Sequence, residues 1–149
     1  MKYSNSIEIN LSREKVIELF DNAENLKRWQ PDLISYEFLE GEPGAEGSTM
    51  NMVFKRTKNK TMTLKETIEK NNFPEEMVST YETKGVFNIQ KNRFIANGPQ
   101  QTTWVSDSEF QFSTLGMKII GFLMPGAFKK QSCKYMEQFK AFAEEESKK

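Results

Sequence analysis

The sequence predicts an α+β domain: one antiparallel sheet of seven strands, strongly curved, wraps around a long C-terminal helix, with two short helices after the first strand. Three observations predict it. Between residues 34 and 112, apolar and polar residues alternate in short runs, the period of a half-buried strand. Turn residues separate those runs at roughly regular spacing, as in a meander of hairpins. Beyond residue 115 the apolar period becomes three to four, that of an amphipathic helix.

Tyr3 to Asn10 alternates, with Ile7 and Ile9 on one side and Glu8 and Asn10 on the other, and reads as the first strand. Ser12 supplies a helix N-cap, and Val16, Leu19 and Phe20 form a short apolar stripe on a helix ending near Phe20. Asp21 is read as the cap of a second short helix, with Glu24 three residues on as in a capping box; Leu26 and Trp29 face inward, and Pro31 stops it. Ile34, Tyr36 and Phe38 alternate in the next strand. The loop Gly41 to Gly47 then breaks the chain and reads as a flexible hairpin connection. Met50, Met52 and Phe54 share the inner face of the following strand, and Lys58-Asn59 is a turn. Met62, Leu64, Glu66 and Ile68 share a face, as do Met77, Ser79 and Tyr81 after the loop Asn71 to Pro74. Lys84-Gly85 turns the chain into the strand Val86 to Ile95, and Asn97-Gly98-Pro99 turns it again. Trp104, Ser106, Ser108, Phe110 and Phe112 share the inner face of the last strand. Met117, Ile120, Met124, Phe128, Tyr135, Met136, Phe139, Phe142 and Ala143 then recur at helical spacing, and Pro125 should kink or split that helix. Glu144 to Lys149 reads as a fraying charged tail.

The 149 residues suit one domain, 1–149. Twelve Phe and eight Met concentrate the apolar content in large side chains, compatible with a Phe-rich solid core or a hollow one. Lys and Arg total 21 and Asp and Glu also 21, so the basic excess of a nucleic-acid binder is missing and no nucleic-acid partner is expected. Lys55, Arg56, Lys58 and Lys60 read as solvated charges at a hairpin tip. No residue is His, which removes the commonest zinc ligand and general base and any Ser-His-Asp or Cys-His site within this chain. No metal, nucleotide or other cofactor site is visible. The single Cys133 allows no internal disulfide, and Met1 to Ser6 lacks the apolar run of a signal peptide, so a cytoplasmic location is expected. Leu115 to Phe128, the most apolar stretch, is too short to span a bilayer, and no stable membrane insertion is expected. Cys133 lies among Lys129, Lys130 and Lys134 and is assigned no role.

The order of elements resembles the START-like (SRPBCC) superfamily of polyketide cyclase/dehydrase and lipid-transport proteins, with the helix-grip fold of the birch pollen allergen. The resemblance covers essentially the whole chain. It rests on the opening strand with Ile7-Glu8-Ile9, the helix pair ending in Trp29-Gln30-Pro31, and the glycine loop Gly41 to Gly47. Thr103-Trp104 and the run Phe128-Lys129-Lys130-Gln131 leading to Phe139-Lys140 agree with it. The glycine loop lacks the denser pattern of the pollen-allergen relatives and is given no phosphate-binding role. The resemblance implies an internal pocket and no single activity, since such proteins include lipid carriers, cyclases, oxygenase domains and co-chaperone activators.

On that reading Met50, Met52, Phe54, Met62, Leu64, Met77, Tyr81, Trp104, Phe110 and Phe112 line the pocket from the sheet. Met117, Ile120, Met124, Phe128 and Met136 cover it from the helix. Asn88, Asn92, Ser79, Ser106 and Ser108 fall on inward positions, and either pair with one another or face a ligand. Glu66 falls inward too. In an apolar cavity its pKa would rise, suiting proton transfer; a bulge turning it to water, or a partner in Lys91 or Arg93, would remove that role. Ile119, Phe122 and Leu123, off the main helix face, form with Met124 an apolar patch beside Pro125 that reads as a contact surface, a lid, or packing against the opening helices.

Three functions follow. The first is binding or carriage of a small hydrophobic ligand, with Tyr81, Asn88 and Trp104 orienting it. The second is a cyclase or dehydratase that uses Glu66 or Tyr81 as catalytic groups. The third is a co-chaperone-like module that meets a protein partner through the patch at Phe122. Neither ligand identity nor oligomeric state is legible.

Overall fold

The computed structural model describes residues 1–57 and 59–149. Lys58, half of the expected Lys58-Asn59 turn and one of the four hairpin-tip cations, lies outside the described residues. The chain runs through β1 (Lys2–Ile9), α1 (Arg13–Phe20), a 3-10 turn (Ala23–Asn25) and α2 (Leu26–Trp29). The meander follows: β2 (Leu33–Glu40), β3 (Thr49–Lys55), β4 (Thr61–Asn72), β5 (Glu76–Thr83), β6 (Val86–Ala96) and β7 (Thr102–Phe112). Helices α3 (Leu115–Leu123) and α4 (Pro125–Glu146) complete it. One antiparallel seven-stranded sheet has the order β1-β7-β6-β5-β4-β3-β2, so each hairpin pairs neighbours and the first strand returns beside the last. The predicted α+β arrangement, with two short helices after the first strand and a long terminal helix on the sheet, is the observed one.

Three local details differ from the sequence reading, and the break expected at Pro125 is found. Asp21 does not cap the second helix. Its backbone N–H still serves α1 by donating to Ile17 O, so the capping role moves one residue on, to Asn22, whose side chain accepts from Glu24 N at 3.0 Å. In β2, irregular register between Leu33 and Ser35 shifts the alternation by one position, burying Leu33 and exposing Ile34. The long helix is split as expected: Pro125 opens α4, where its missing N–H costs nothing, and Met124 between the two helices leaves the helical region (φ −131°, ψ 51°). The tail is helical to Glu146, held where Glu144 accepts from Asn10 N at 2.9 Å and Glu146 pairs with Arg28.

Helix α4 lies along β1. Asn5 Nδ2 donates to Lys129 O at 3.2 Å, Tyr3 Oη donates to Phe128 O at 3.1 Å, and Lys140 Nζ donates to Glu8 O at 2.7 Å. These bonds tie the helix to a terminal strand of the sheet. The buried side chains form two clusters rather than one. Ile9, Leu11, Val16, Leu19, Trp29, Phe94, Trp104, Met136, Phe139 and Ala143 fill the space between the sheet, the short helices and the second half of α4. Phe20 meets Phe94, Trp104 and Phe139 edge-on at 5.2–5.6 Å between ring centroids, the spacing of favourable aromatic pairs. Leu33, Met50, Met52 and Phe54 form the second cluster, on the far strands. The aromatic cluster is a plug at one end of the grip, and the space between the clusters is left open.

Candidate functional site

That space is a cavity of about 1020 Å³, at the upper end of the ~300–1,000 Å³ range usual for small-molecule sites. Fourteen of the fifteen side chains expected to bind ligand lie on its wall. Met50, Met52 and Phe54 reach it from β3, Met62 and Leu64 from β4, Met77 and Tyr81 from β5, Asn88 from β6, and Trp104 and Phe110 from β7. Met117 and Ile120 reach it from α3, Met124 from the break, and Phe128 from α4, with Met136 deeper. The exception is Phe112. Its ring packs between Phe110 and Phe128, at 6.0 and 5.6 Å between centroids, so it supports the wall from behind.

The polar groups on the wall divide by whether their bonds are already made. Trp104 Nε1 donates to Asn92 Oδ1 at 3.0 Å, both groups buried. Asn88 Nδ2 donates to Glu109 O at 3.0 Å, and Asn88 Oδ1 accepts from Gln90 Nε2 at 3.0 Å. The donors expected to orient a ligand from Trp104 and Asn88 are therefore committed within the sheet. These residues give shape, not free hydrogen bonds, because a buried donor takes the nearest acceptor the register offers. Ser79 and Ser106 also line the wall, whereas Ser108 is buried outside it.

Glu66 and Tyr81 differ. They face each other across the β4–β5 ladder, and both side chains reach the cavity. The expected alternatives for Glu66 do not occur: Arg93 pairs with Asp107 across β6 and β7, and the β4 irregularity falls after Ile68, beyond Glu66. Burial pushes the Glu66 carboxyl above its ordinary value of 4.5, and hydrogen bonding to Tyr81 only partly offsets this. Burial also drives the Tyr81 phenol well above 10.0, reinforced by the nearby Glu66 charge and the bond to it. The pair is thus a carboxyl that holds a proton more readily than usual, beside a phenol that never releases one near neutrality.

Sequence reasoning missed several wall residues. Gln90 continues the inward period of Asn88 and Asn92, and Gln131 and Tyr135 continue the helical spacing of Phe128; both signals were present. Pro43-Gly44 was not recoverable in this way, because a loop has no period, and the helical period that turned Phe20 inward does not say whether it meets core or cavity. The glycine loop is tied down rather than free: Asn71 Nδ2 donates to Gly44 O at 2.7 Å and Gly47 N donates to Ile68 O at 2.7 Å. Among the described residues, no cluster of three or more His, Cys, Asp or Glu side chains is placed to hold a metal ion. No helix among them is long and apolar enough to cross a membrane.

Residues 1–144 match the family described as polyketide cyclase / dehydrase and lipid transport. The chain belongs to that family. It has the helix-grip fold of the START-like superfamily, whose members bind hydrophobic ligands or act as cyclases. Among solved structures, it resembles a START superfamily protein from Mycobacterium smegmatis (TM-score 0.80, 11% identity, 97% of each chain covered). It also resembles the Zhui aromatase/cyclase from Streptomyces (TM-score 0.79, 11% identity, 97% of this chain and 93% of that one). Norcoclaurine synthase from Thalictrum flavum, solved with dopamine and hydroxybenzaldehyde, is similar at TM-score 0.73 and 13% identity, over 97% of this chain and 87% of that one. At these identities the likeness is one of fold. No curated protein matches the sequence.

Proposed function

We propose that this family member binds and carries a small hydrophobic molecule in the cavity between the sheet and the C-terminal helices. The observation that carries the reading is an open volume of about 1020 Å³ walled largely by Met, Phe and Leu, with Glu66 and Tyr81 facing each other inside it. Transfer of apolar ligand surface from water is worth ~25 cal/mol per Å², so burying ~200 Å² contributes roughly 5 kcal/mol before the cost of association. Apolar walls give affinity without direction. Direction comes from Glu66 and Tyr81, whose polar atoms are not consumed by the backbone. They suit a ligand with an apolar body and one hydroxyl or amine that donates to the carboxyl.

The same pair supports a second reading, a cyclase or dehydratase. The Glu66 carboxylate, made a stronger base by burial, can take a proton from carbon next to a carbonyl and return it to a leaving hydroxyl, with Tyr81 donating to the carbonyl oxygen. The chain has no histidine, so acid–base chemistry in the cavity falls to its other titratable groups, of which Glu66 and Tyr81 face each other. A cytoplasmic site of action fits both readings.

The test is native mass spectrometry of freshly purified protein, followed by denaturing extraction. Under the carrier reading a hydrophobic molecule co-purifies. The Glu66→Gln protein should bind it about tenfold more weakly, the loss expected for one charge-assisted hydrogen bond. A clean apo mass that takes up nothing from a lipid and metabolite extract would sink the proposal. A molecule released with altered covalent structure, in wild type but not in Glu66→Gln, would favour the enzyme.

A further inference from the structure

We propose that the elbow between α3 and α4 is a docking surface for an anionic lipid bilayer, on which the protein rests with the adjoining end of the cavity toward the lipid. The elbow exposes apolar side chains that nothing in the fold covers: Phe122 is 83% exposed, Leu123 68% and Met124 56%, with Ile119 at 48% one turn before them. They lie on the last turns of α3 and the residue that joins it to α4, and exposed apolar residues of this size are normally scattered singly rather than gathered this way. Phe122 and Leu123 point away from the cavity, whereas Met117, Ile120 and Met124 of the same segment line it. The elbow is therefore one layer thick, with cavity on one side and solvent on the other.

Charge selects the occupant. The whole chain is neutral, yet residues 110–136 contain Lys118, Lys129, Lys130 and Lys134 and no Asp or Glu. All four lysines are exposed, and none forms an ion pair among the described residues. The neighbouring hairpin ends add Lys55, Arg56 and Lys84, which both line the cavity and meet solvent, so the cavity opens between them and α3. Acidic groups near these cations are Asp32 on the cavity wall, Glu82, which faces Lys65 across the ladder, and Glu137, one turn beyond Lys134 on α4. An apolar elbow set in unpaired lysines matches an interface whose headgroups are negative and whose interior is hydrocarbon. A second copy of this chain would bring the same lysines against themselves.

The experiment is flotation of the full chain with vesicles of phosphatidylcholine plus phosphatidylserine, against vesicles of phosphatidylcholine alone, at low and high salt. The protein should float with the anionic vesicles and leave them as salt rises. Phe122→Ser with Leu123→Ser should weaken the association at least about tenfold, as should Lys118→Glu with Lys129→Glu and Lys130→Glu. Unchanged melting temperature and unchanged Nile red uptake, measured without vesicles, separate loss of docking from loss of fold or of cavity. Failure of the carrier reading would show in the dye experiment and leave flotation intact. No flotation with anionic vesicles at low salt would overturn the docking surface. So would equal flotation with both vesicle types, or concentration-dependent self-association in sedimentation that Phe122→Ser with Leu123→Ser abolishes.

Discussion

Glu66 has a phenol for a neighbour where most buried carboxylates have a cation, and this sets the sign of its contribution to stability. Its pKa is raised in the folded protein relative to 4.5, burial being the main cause. The native state thus binds more protons than the unfolded state in the window from about 4.5 up to the raised value. Stability must fall as pH climbs through that window, the opposite of a salt-bridged carboxylate. Glu66→Gln removes the titration. The variant is expected to unfold at a higher temperature than wild type at neutral pH and above, with the difference closing as pH falls below 4.5. Thermal unfolding across a pH series checks this, and a variant less stable at neutral pH would contradict a buried carboxylate with no cation beside it. Legibility was uneven at this scale. Glu66 was found by period alone, because its place between Leu64 and Ile68 puts it on the inner face. The commitments of Trp104 to Asn92 and of Asn88 to Glu109 were not, because each joins residues on different strands.

At the scale of elements, the join between α3 and the sheet rests on a missing side chain. A Cβ at Gly121 would stand 2.5 Å from the Phe112 ring, closer than packed atoms allow. Phe112 has little room to yield, since Phe110 and Phe128 flank it. Alanine favours a helix interior over glycine by ~1 kcal/mol, whereas overpacking costs ~1–3 kcal/mol. The steric term wins, so Gly121→Ala should lower stability by about 1 kcal/mol and lift α3 from β7. Urea denaturation with hydrogen exchange at the α3 amides would detect it; an equal or higher midpoint with unchanged α3 protection would refute it. The other elements were readable because their signals are local. Ser12 does cap α1, accepting from Lys15 N at 3.2 Å, and Pro125 does divide the terminal helix. The Asp21 cap and the Ile34 face were misplaced by one residue each, because a one-residue bulge or an extra turn leaves composition unchanged while reversing direction.

For the whole molecule, an open centre has a thermodynamic consequence. A solid core of this size has its dispersion contacts made; here the walls between the two clusters face vacant volume. Filling it should stabilise the fold. A ligand present at ~100 times its dissociation constant adds about 2.7 kcal/mol, or roughly 5–11 °C in melting temperature for a domain of this length. Protein stripped by denaturing extraction and refolded should therefore melt several degrees below freshly purified protein, and the extract should restore the difference. Equal melting temperatures before and after stripping, with no response to the extract, would mean that the centre binds nothing.

The sequence alone determined the order and type of the elements, the inner face of most strands, and the absence of histidine chemistry. Those are properties of neighbouring residues, and the period of two or three to four declares them without reference to the rest of the chain. The tertiary structure decided what no period contains. Sheet curvature separates the aromatic plug from the methionine wall and leaves a cavity between them. The strand register commits the Trp104 and Asn88 donors while setting Glu66 against Tyr81 with polar atoms to spare. Phe112, equal in pattern to Phe110, becomes a buttress because Gly121 comes to rest on it. Each of these outcomes is a distance between residues remote in the chain, and such distances exist only once the sheet has closed on its helices.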